Sequence, residues 1–204
     1  MPIKLNIKQG DQDNVKQLGG RLLPDGNTWI IPDEILDINP FMTWLPSREG
    51  HIVQKPYFSL RAKCLCWKCK CETPVVALGA KSHQALVYET ADNPIWQKVE
   101  DDRLIFAETD YLDKGISRVM QANYPFFQQQ YSKSLERRLW GNCCVHCQAL
   151  QEEDGEYAFG LANPLSPVTI EAAKEIRVIF FKLEFDYYIS SGYLWCDLYL
   201  DIIA

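Results

Sequence analysis

The residues of this sequence best suited to chemistry are its cysteines. Of the eight cysteines, four form two Cys-x-x-Cys pairs, Cys66/Cys69 and Cys144/Cys147. Two residues between paired cysteines let one tight turn aim both sulfurs at one ion, and structural zinc sites fill all four tetrahedral positions with protein ligands. The spacing therefore predicts one structural zinc ion per chain, bound by these four thiolates.

The other cysteines and the nearby histidine are expected to lie outside this coordination. Adjacent residues of a strand point to opposite faces, so the sulfurs of the cysteine-rich run 64–71 do not all converge on one ion. We interpret the remaining cysteines as small buried side chains; they are Cys64, Cys71, Cys143 and Cys196. His146 lies inside the second pair, where Cys144 and Cys147 already supply the ligands, and we expect it on the surface or beside the site.

Two other interpretations of the pairs are weaker. A thioredoxin-type dithiol needs one pair at a strand-to-helix junction, whereas both pairs here follow strand-like segments. Cysteines that merely fill a core rarely fall into two such pairs by chance. The N-terminus also lacks the apolar stretch of a signal peptide, and charged residues interrupt the apolar region 176–203. We therefore expect no membrane segment and a cytoplasmic protein, whose reducing surroundings favour metal binding over disulfides.

The motifs argue against an enzyme. A catalytic zinc needs an open coordination position, and four cysteines leave none. The sequence contains no His-Glu-x-x-His, no phosphate-binding glycine loop and no Gly-x-Ser-x-Gly motif. The acidic run 151–156 predicts an exposed turn. A metal-dependent nuclease stays open as an alternative, without residues that could be assigned to its site.

The charge near the cysteines favours a binding function. The formal net charge is −6, yet basic residues gather around both pairs, with Trp67 and Trp140 among them. Cations suit phosphates and aromatic rings suit exposed bases, so the pattern predicts a surface for single-stranded nucleic acid. Its cations are Lys68, Lys70, Arg137 and Arg138. The alternative is a protein-interaction or scaffold module, with a solvated basic face, tryptophans packed over the metal and an acidic C-terminal sheet as the contact surface.

Strand and turn patterns around these residues predict an α+β fold in two parts. Residues 1–50 should form a small strand-helix-hairpin module, in which alternation at 3–7 gives the strand and the Pro-Asp-Gly-Asn turn at 24–27 closes the hairpin. Residues 51–204 should form a zinc-ribbon domain with a long insertion between the cysteine pairs. It should end in an antiparallel hairpin that turns at residues 190–192. Nothing in the sequence indicates the oligomeric state.

Two stretches resemble known bacterial sequences. Residues 15–21 and 24–32 resemble domain of unknown function 5710, in which lysine, glycine, arginine, tryptophan and proline follow in this order, although Leu22 stands where that family usually has tryptophan. The resemblance implies a plasmid or mobile-element context and not an activity. Residues 66–78 and 131–147 are similar to an uncharacterised zinc-ribbon-like group that often carries this N-terminal module. Gln148 departs from it where glycine is usual, which implies a strained turn.

Overall fold

The computed structural model describes residues 2–46, 50–90, 93–153, 163–165, 167 and 169–195. Antiparallel strands dominate it and short helices connect them, which is consistent with the predicted α+β class. The elements in chain order are β1 (Ile3–Leu5), α1 (Gln12–Gln17), β2 (Arg21–Leu22), β3 (Trp29–Ile31), a 3₁₀ helix (Asn39–Trp44), β4 (His51–Leu65), β5 (Glu72–Thr90), β6 (Asn93–Leu112), α2 (Lys114–Asn123), β7 (Phe127–Ser132), β8 (Arg137–Asn142), a second 3₁₀ helix (Gln151–Glu153), α3 (Ile170–Lys174), β9 (Arg177–Phe181) and β10 (Tyr187–Trp195).

The N-terminal residues contain the strand, the helix and the hairpin that the sequence predicts. β3 lies between β1 and β2 in a three-stranded antiparallel sheet, with Leu22 opposite Trp29. The hairpin turn is held by Asp25, whose carboxylate accepts the backbone N–H groups of Asn27 at 3.0 Å and Thr28 at 2.9 Å. This carboxylate supplies the local hydrogen bonds that make aspartate common in turns.

The core of this N-terminal sheet is shared with the larger sheet. Buried Trp29 belongs to one apolar cluster with Ile52, Leu86 and Trp96, which come from β4, β5 and β6. The side chain of Asn39 accepts the backbone N–H of Trp96 at 2.7 Å and donates to its carbonyl at 2.9 Å. The N-terminal residues are therefore docked on the larger sheet by both apolar and polar contacts. Whether residues 1–50 fold as a separate unit stays a prediction.

Among the described residues, the larger sheet has seven strands, and it positions the cysteines. Its strand order is β10-β4-β5-β6-β8-β7, β9 pairs with β4, and an additional pairing of β10 with β6 closes β4, β5, β6 and β10 into a ring. Helix α2 packs on it through Ile116 and Met120, in the same buried cluster as Tyr57, Leu78 and Phe106. No helix in the described ranges has the length and apolar character needed to cross a membrane.

The turn predicted for the C-terminal hairpin is wrong. Ser190 and Gly192 lie within β10, opposite Tyr111 and Ala107 of β6, and the register shifts between them. Such a register shift is typical of a bulge or a similar irregularity, in which one strand carries more residues than its partner. Within the described residues, β9 and β10 both lie beside β4 rather than beside each other. Residues 196–204, which include most of the predicted last strand and Cys196, lie outside the described ranges.

Candidate metal centre

The structure brings together the four cysteines that the sequence predicts as ligands. The sulfur atoms of Cys66 and Cys147 are 3.6 Å apart, those of Cys69 and Cys144 are also 3.6 Å apart, and all four lie within 4.8 Å of one another. A tetrahedral ion with metal–sulfur bonds of about 2.3 Å has sulfur–sulfur edges of about 3.8 Å. The four thiolates could therefore hold one metal ion with little movement.

The two cysteine pairs sit on the same type of turn. In the first, the N–H of Lys70 donates to the carbonyl of Cys66 at 2.9 Å, and in the second the N–H of Gln148 donates to the carbonyl of Cys144 at 2.9 Å. The N–H of each first cysteine also donates across the turn to the carbonyl five residues later, at 2.9 Å in both. These bonds fix the chain direction so that both sulfurs of a pair point the same way.

Each turn forces one residue into the left-handed region of backbone space. Lys70 has φ 62° and Gln148 has φ 59°. Glycine adopts this conformation freely, whereas a residue with a side chain is strained there by about 1–2 kcal/mol. The strain expected at Gln148 is therefore present, and Lys70 shares it at the equivalent position.

Strand pairing places the two turns side by side. The first turn is the tip of the β4–β5 hairpin, whose last pair is Leu65 opposite Glu72. The second follows β8 and is closed by a bridge between Cys143 and Leu150. We refer to the two turns, residues 66–71 and 144–149, as the first and second knuckle.

Hydrogen bonds also connect each knuckle to residues that lie next to the other knuckle. The indole N–H of Trp67 donates to the carbonyl of Leu150 at 2.8 Å, and the N–H of Val145 donates to the hydroxyl of Thr73 at 3.1 Å. Nε2 of His146 lies 3.1 Å from the carbonyl oxygen of Glu72. His146 is therefore outside the group of four sulfurs, as predicted, and contributes to the contact between the knuckles.

A buried asparagine next to the second knuckle joins β8 to β5. Asn142 accepts the N–H of Val76 at 2.8 Å and donates to the carbonyl of Val76 at 3.0 Å. Its own N–H and side-chain amide donate to the carboxylate of Glu152, at 3.0 Å and 2.9 Å. Sequence reasoning missed this bridge, because the two strands that it joins are far apart along the chain.

The acidic run after the second knuckle does not begin as the exposed turn that the sequence predicts. Gln151 is 1% exposed and Glu152 is half-buried in a 3₁₀ helix. Burial raises the pKa of the Glu152 carboxyl to about 7, although the hydrogen bonds from Asn142 act in the opposite direction. Both side chains instead turn inward to bond groups around the knuckles. Residues 154–156 of the run lie outside the described ranges.

Donors directed at the sulfurs favour the thiolate form. The side-chain amide of Gln151 lies 3.6 Å from the sulfur of Cys66, and the N–H of His146 lies 3.4 Å from that of Cys144. Burial opposes ionisation of Cys66, but backbone N–H groups and the Gln151 amide outweigh it and lower the pKa of this thiol to about 6. The N–H of Cys71 favours the Cys69 thiolate, yet burial and the neighbouring sulfurs prevail and raise the pKa of Cys69 to about 12. Opposite shifts are expected where thiols share protons, and a bound cation would favour the thiolate at all four positions.

The spare cysteines differ in burial. Cys143 is 1% exposed, and burial raises the pKa of its thiol to about 11. Cys64 is half-buried and packs against the apolar cluster of β4 and β5. Cys71 is exposed, which corrects the expectation that it is buried, because it lies at the end of the first knuckle where the chain faces solvent.

The residues predicted to bind nucleic acid occupy two positions. Trp67, which is 38% exposed, lies on the first knuckle with exposed Lys68 and Lys70. Arg137 and Arg138 are exposed at the start of β8. A strand rises about 3.3 Å per residue, so Arg138 lies roughly 15–20 Å along the chain from the second knuckle.

The surroundings of these two positions also differ. Arg137 forms an ion pair of 3.9 Å with Asp110, and Arg138 lies opposite Tyr131 in the β7–β8 pairing. Trp140 is half-buried and stacks on Phe127 with ring centroids 5.9 Å apart. Of the two predicted tryptophans, Trp67 presents more of its ring for stacking.

Comparison with known proteins gives no further guide. No protein-family model, no curated protein and no solved structure matches the chain. The resemblances of the N-terminal and knuckle sequences therefore stay predictions, and the functional argument depends on the geometry of the site.

Proposed function

We propose that Cys66, Cys69, Cys144 and Cys147 bind one structural zinc ion. The observation that carries this proposal is the closeness of the four sulfurs: two of their distances are 3.6 Å, near the edge of a tetrahedron around zinc, and all are within 4.8 Å. Four thiolates select soft metals such as zinc or iron, and zinc has no geometric preference that a closed tetrahedron would violate. With all positions taken by protein, the ion has a structural role and not a catalytic one.

The proposed ion would connect two distant parts of the chain. It would join the tip of the β4–β5 hairpin to the end of β8, where Trp67 and Asn142 already contribute hydrogen bonds. When a metal site forms only in the folded chain, the free energy of metal binding adds to the free energy of folding. In isolated zinc-finger peptides this contribution is about 10–16 kcal/mol. Here the hydrogen bonds supply part of the connection, and zinc would add to the stability of the folded chain and fix the exposed surface of the knuckles.

We infer that this surface contacts single-stranded nucleic acid, as a non-catalytic accessory of bacterial or mobile-element origin. In support, the exposed ring of Trp67 is held in place by its bond to Leu150, and Lys68 and Lys70 lie on the same knuckle. Stacking of a base on an aromatic ring contributes about 1–3 kcal/mol and tolerates any sequence. The acidic remainder of the chain repels phosphate, so the contact is small.

A second candidate is a protein-interaction or scaffold module. The observation in its favour is apolar exposure beside the knuckles, where Leu65 is 71% exposed and Val145 is 45% exposed. Such side chains suit the apolar centre of a protein interface better than a phosphate backbone. The nuclease alternative gains no site, because the described residues bring together no metal-binding group besides the four cysteines.

Binding assays at low salt with single-stranded DNA and RNA test the proposed function. Zinc-loaded protein should bind with an affinity that falls steeply with salt, and the double variant K68Q/K70Q should bind about five- to tenfold more weakly with a shallower salt dependence. The control K8Q/K81Q removes two exposed lysines elsewhere and should change affinity less than twofold. The affinity of the variant R137Q/R138Q shows whether the start of β8 belongs to the nucleic-acid-binding surface. Absence of binding at micromolar protein would refute the nucleic-acid function and favour the protein-interaction candidate.

A further inference from the structure

A cleft of about 610 Å³ lies beside β4, next to the first knuckle. Its position follows from the pairing of β4, because Lys63 and Glu72 flank the last residues of the β4–β5 hairpin before the knuckle begins. Residues near α3 form the opposite wall. The side chains that matter for the argument are those of Arg61, Lys63, Glu72, Glu175 and Arg177.

Two arginines in this cleft face each other across neighbouring strands. Arg61 of β4 is directly opposite Arg177 of β9. Directly opposed residues of antiparallel strands have Cβ atoms about 4.5–5.5 Å apart, and like charges in this position repel. Both side chains are exposed, and neither forms a hydrogen bond or an ion pair with any described residue. The other cross-strand neighbour of Arg61 is Val76, which is apolar.

The other charges of the cleft do not neutralise this pair. Lys63 lies two residues from Arg61 on the same face of β4, and its ammonium nitrogen is 2.6 Å from the carboxylate of Glu72, so these two charges satisfy each other. Glu175 is the remaining carboxylate, and it forms no ion pair with Arg61 or Arg177. The cleft therefore presents two guanidinium groups whose repulsion a bound anion would relieve.

We propose that Arg61 and Arg177 bind a phosphate group in this cleft. A guanidinium group offers donors in a planar fork that matches phosphate oxygens, so two of them can bond one phosphate from both sides. The volume is within the range of small-ligand sites and exceeds what a bare phosphate fills, so there is room for a phosphate that belongs to a larger molecule, such as a nucleotide or a polynucleotide. The polynucleotide form rests on the proposed function of the knuckles, whereas the nucleotide form is independent of it.

Titration of the zinc-loaded full chain with pyrophosphate, with a mononucleotide and with a single-stranded oligonucleotide tests this proposal. The double variant R61Q/R177Q should weaken pyrophosphate binding at least about tenfold, because it removes both charge-assisted donors. The control K8Q/K81Q loses the same charge at exposed sites elsewhere and should bind as the unchanged chain does. E175Q removes a carboxylate from the cleft and should tighten binding about two- to threefold. Zinc content and thermal melting show that each variant is folded.

The outcomes separate this proposal from the function of the knuckles. If the mononucleotide and pyrophosphate require both arginines while the oligonucleotide does not bind, the cleft holds a free nucleotide and the nucleic-acid function is wrong. If all three ligands require both arginines, the cleft is the phosphate subsite of a polynucleotide surface. If the oligonucleotide requires Lys68 and Lys70 but no ligand responds to R61Q/R177Q, or if K8Q/K81Q weakens binding equally, the phosphate cleft is refuted.

Discussion

At the scale of single residues, the backbone is strained at one position in each knuckle. Lys70 and Gln148 occupy left-handed backbone conformations that glycine adopts without strain. Both are held there by the hydrogen bonds that bring paired sulfurs together. The rest of the turn determines this conformation, and the side chain at the left-handed position opposes it.

Replacing Lys70 by glycine should therefore stabilise the protein. The variant relieves the backbone strain but gives the unfolded chain more conformational entropy, so the net gain is about 0.5–1 kcal/mol in the free energy of unfolding. Thermal denaturation at saturating zinc measures this gain. The control K68G changes a residue of the same turn that lacks the left-handed conformation, and it should lose about 0.5–1 kcal/mol. Equal destabilisation by both variants would show that strain at Lys70 is not the cause.

Two histidines, the half-buried His51 and the buried His83, introduce pH dependence away from the knuckles. The rings of His51 and His83 lie 4.9 Å apart between β4 and β5. The pKa of each imidazole is lowered from 6.5 to about 4, by burial in both and, for His83, also by the charge of His51. No motif surrounds either histidine in the sequence, and in the structure their rings pack against each other in the sheet.

In the unfolded chain these histidines become protonated below about pH 6.5, whereas in the folded chain they become protonated only near pH 4. Their stabilising contribution is therefore complete above pH 6.5 and is lost as the pH falls from 6.5 to 4. His83→Leu should reduce the fall in unfolding free energy over this window by about 1–3 kcal/mol. Denaturation of both proteins with excess zinc at several pH values gives the difference. Parallel curves for the two proteins would contradict the assignment.

At the scale of elements, the knuckles depend on the strands beneath them. β5 and β8 meet at Asn142. Its side chain bonds the backbone N–H and carbonyl of Val76, as a neighbouring strand would, and also donates to the carboxylate of Glu152. This bridge aligns the end of β8 with the β4–β5 hairpin before any metal is bound. The second knuckle therefore starts from a fixed position.

Asn142→Ala should lower the free energy of unfolding by about 2–4 kcal/mol, because it leaves the buried N–H and carbonyl of Val76 without partners. Thermal or chemical denaturation at constant zinc measures the loss. Asn123→Ala is a matched control, since that amide makes one exposed bond to the carbonyl of Val119, and it should cost less than about 1 kcal/mol. A loss at Asn142 no larger than at Asn123 would mean that the bridge does not hold the strands together.

The sequence predicted the parts of this arrangement that depend on local pattern. Cysteine spacing was sufficient for the four sulfurs, and turn chemistry was sufficient for the hairpin at Asp25. It could not predict Asn142, because the partner of a buried amide is set by the strand pairing and not by neighbouring residues. The turn expected at residues 190–192 was wrong for a related reason, since pairing with β6 makes the same small residues part of a strand.

At the scale of the whole molecule, the N-terminal sheet packs on the ring of β4, β5, β6 and β10 through one apolar cluster, and the first knuckle lies at the tip of β4 and β5. The metal centre then joins the hairpin tip to the end of β8, and Cys69 and Cys144 are separated by 75 positions in the sequence. Closing so long a loop is inexpensive once the intervening chain is itself folded, because closure entropy grows only with the logarithm of length. The metal ion thus stabilises a contact that the sheet already prepares.

Metal analysis of the purified chain is the most direct test of this account. The unchanged protein should contain about one zinc per chain, and Cys144→Ser should lose the metal and much of its thermal stability. Cys71→Ser should keep both, because that exposed thiol lies outside the group of four sulfurs. Zinc-free protein from an unchelated preparation, or a Cys71→Ser variant that loses zinc while Cys144→Ser retains it, would contradict the assignment of the metal centre.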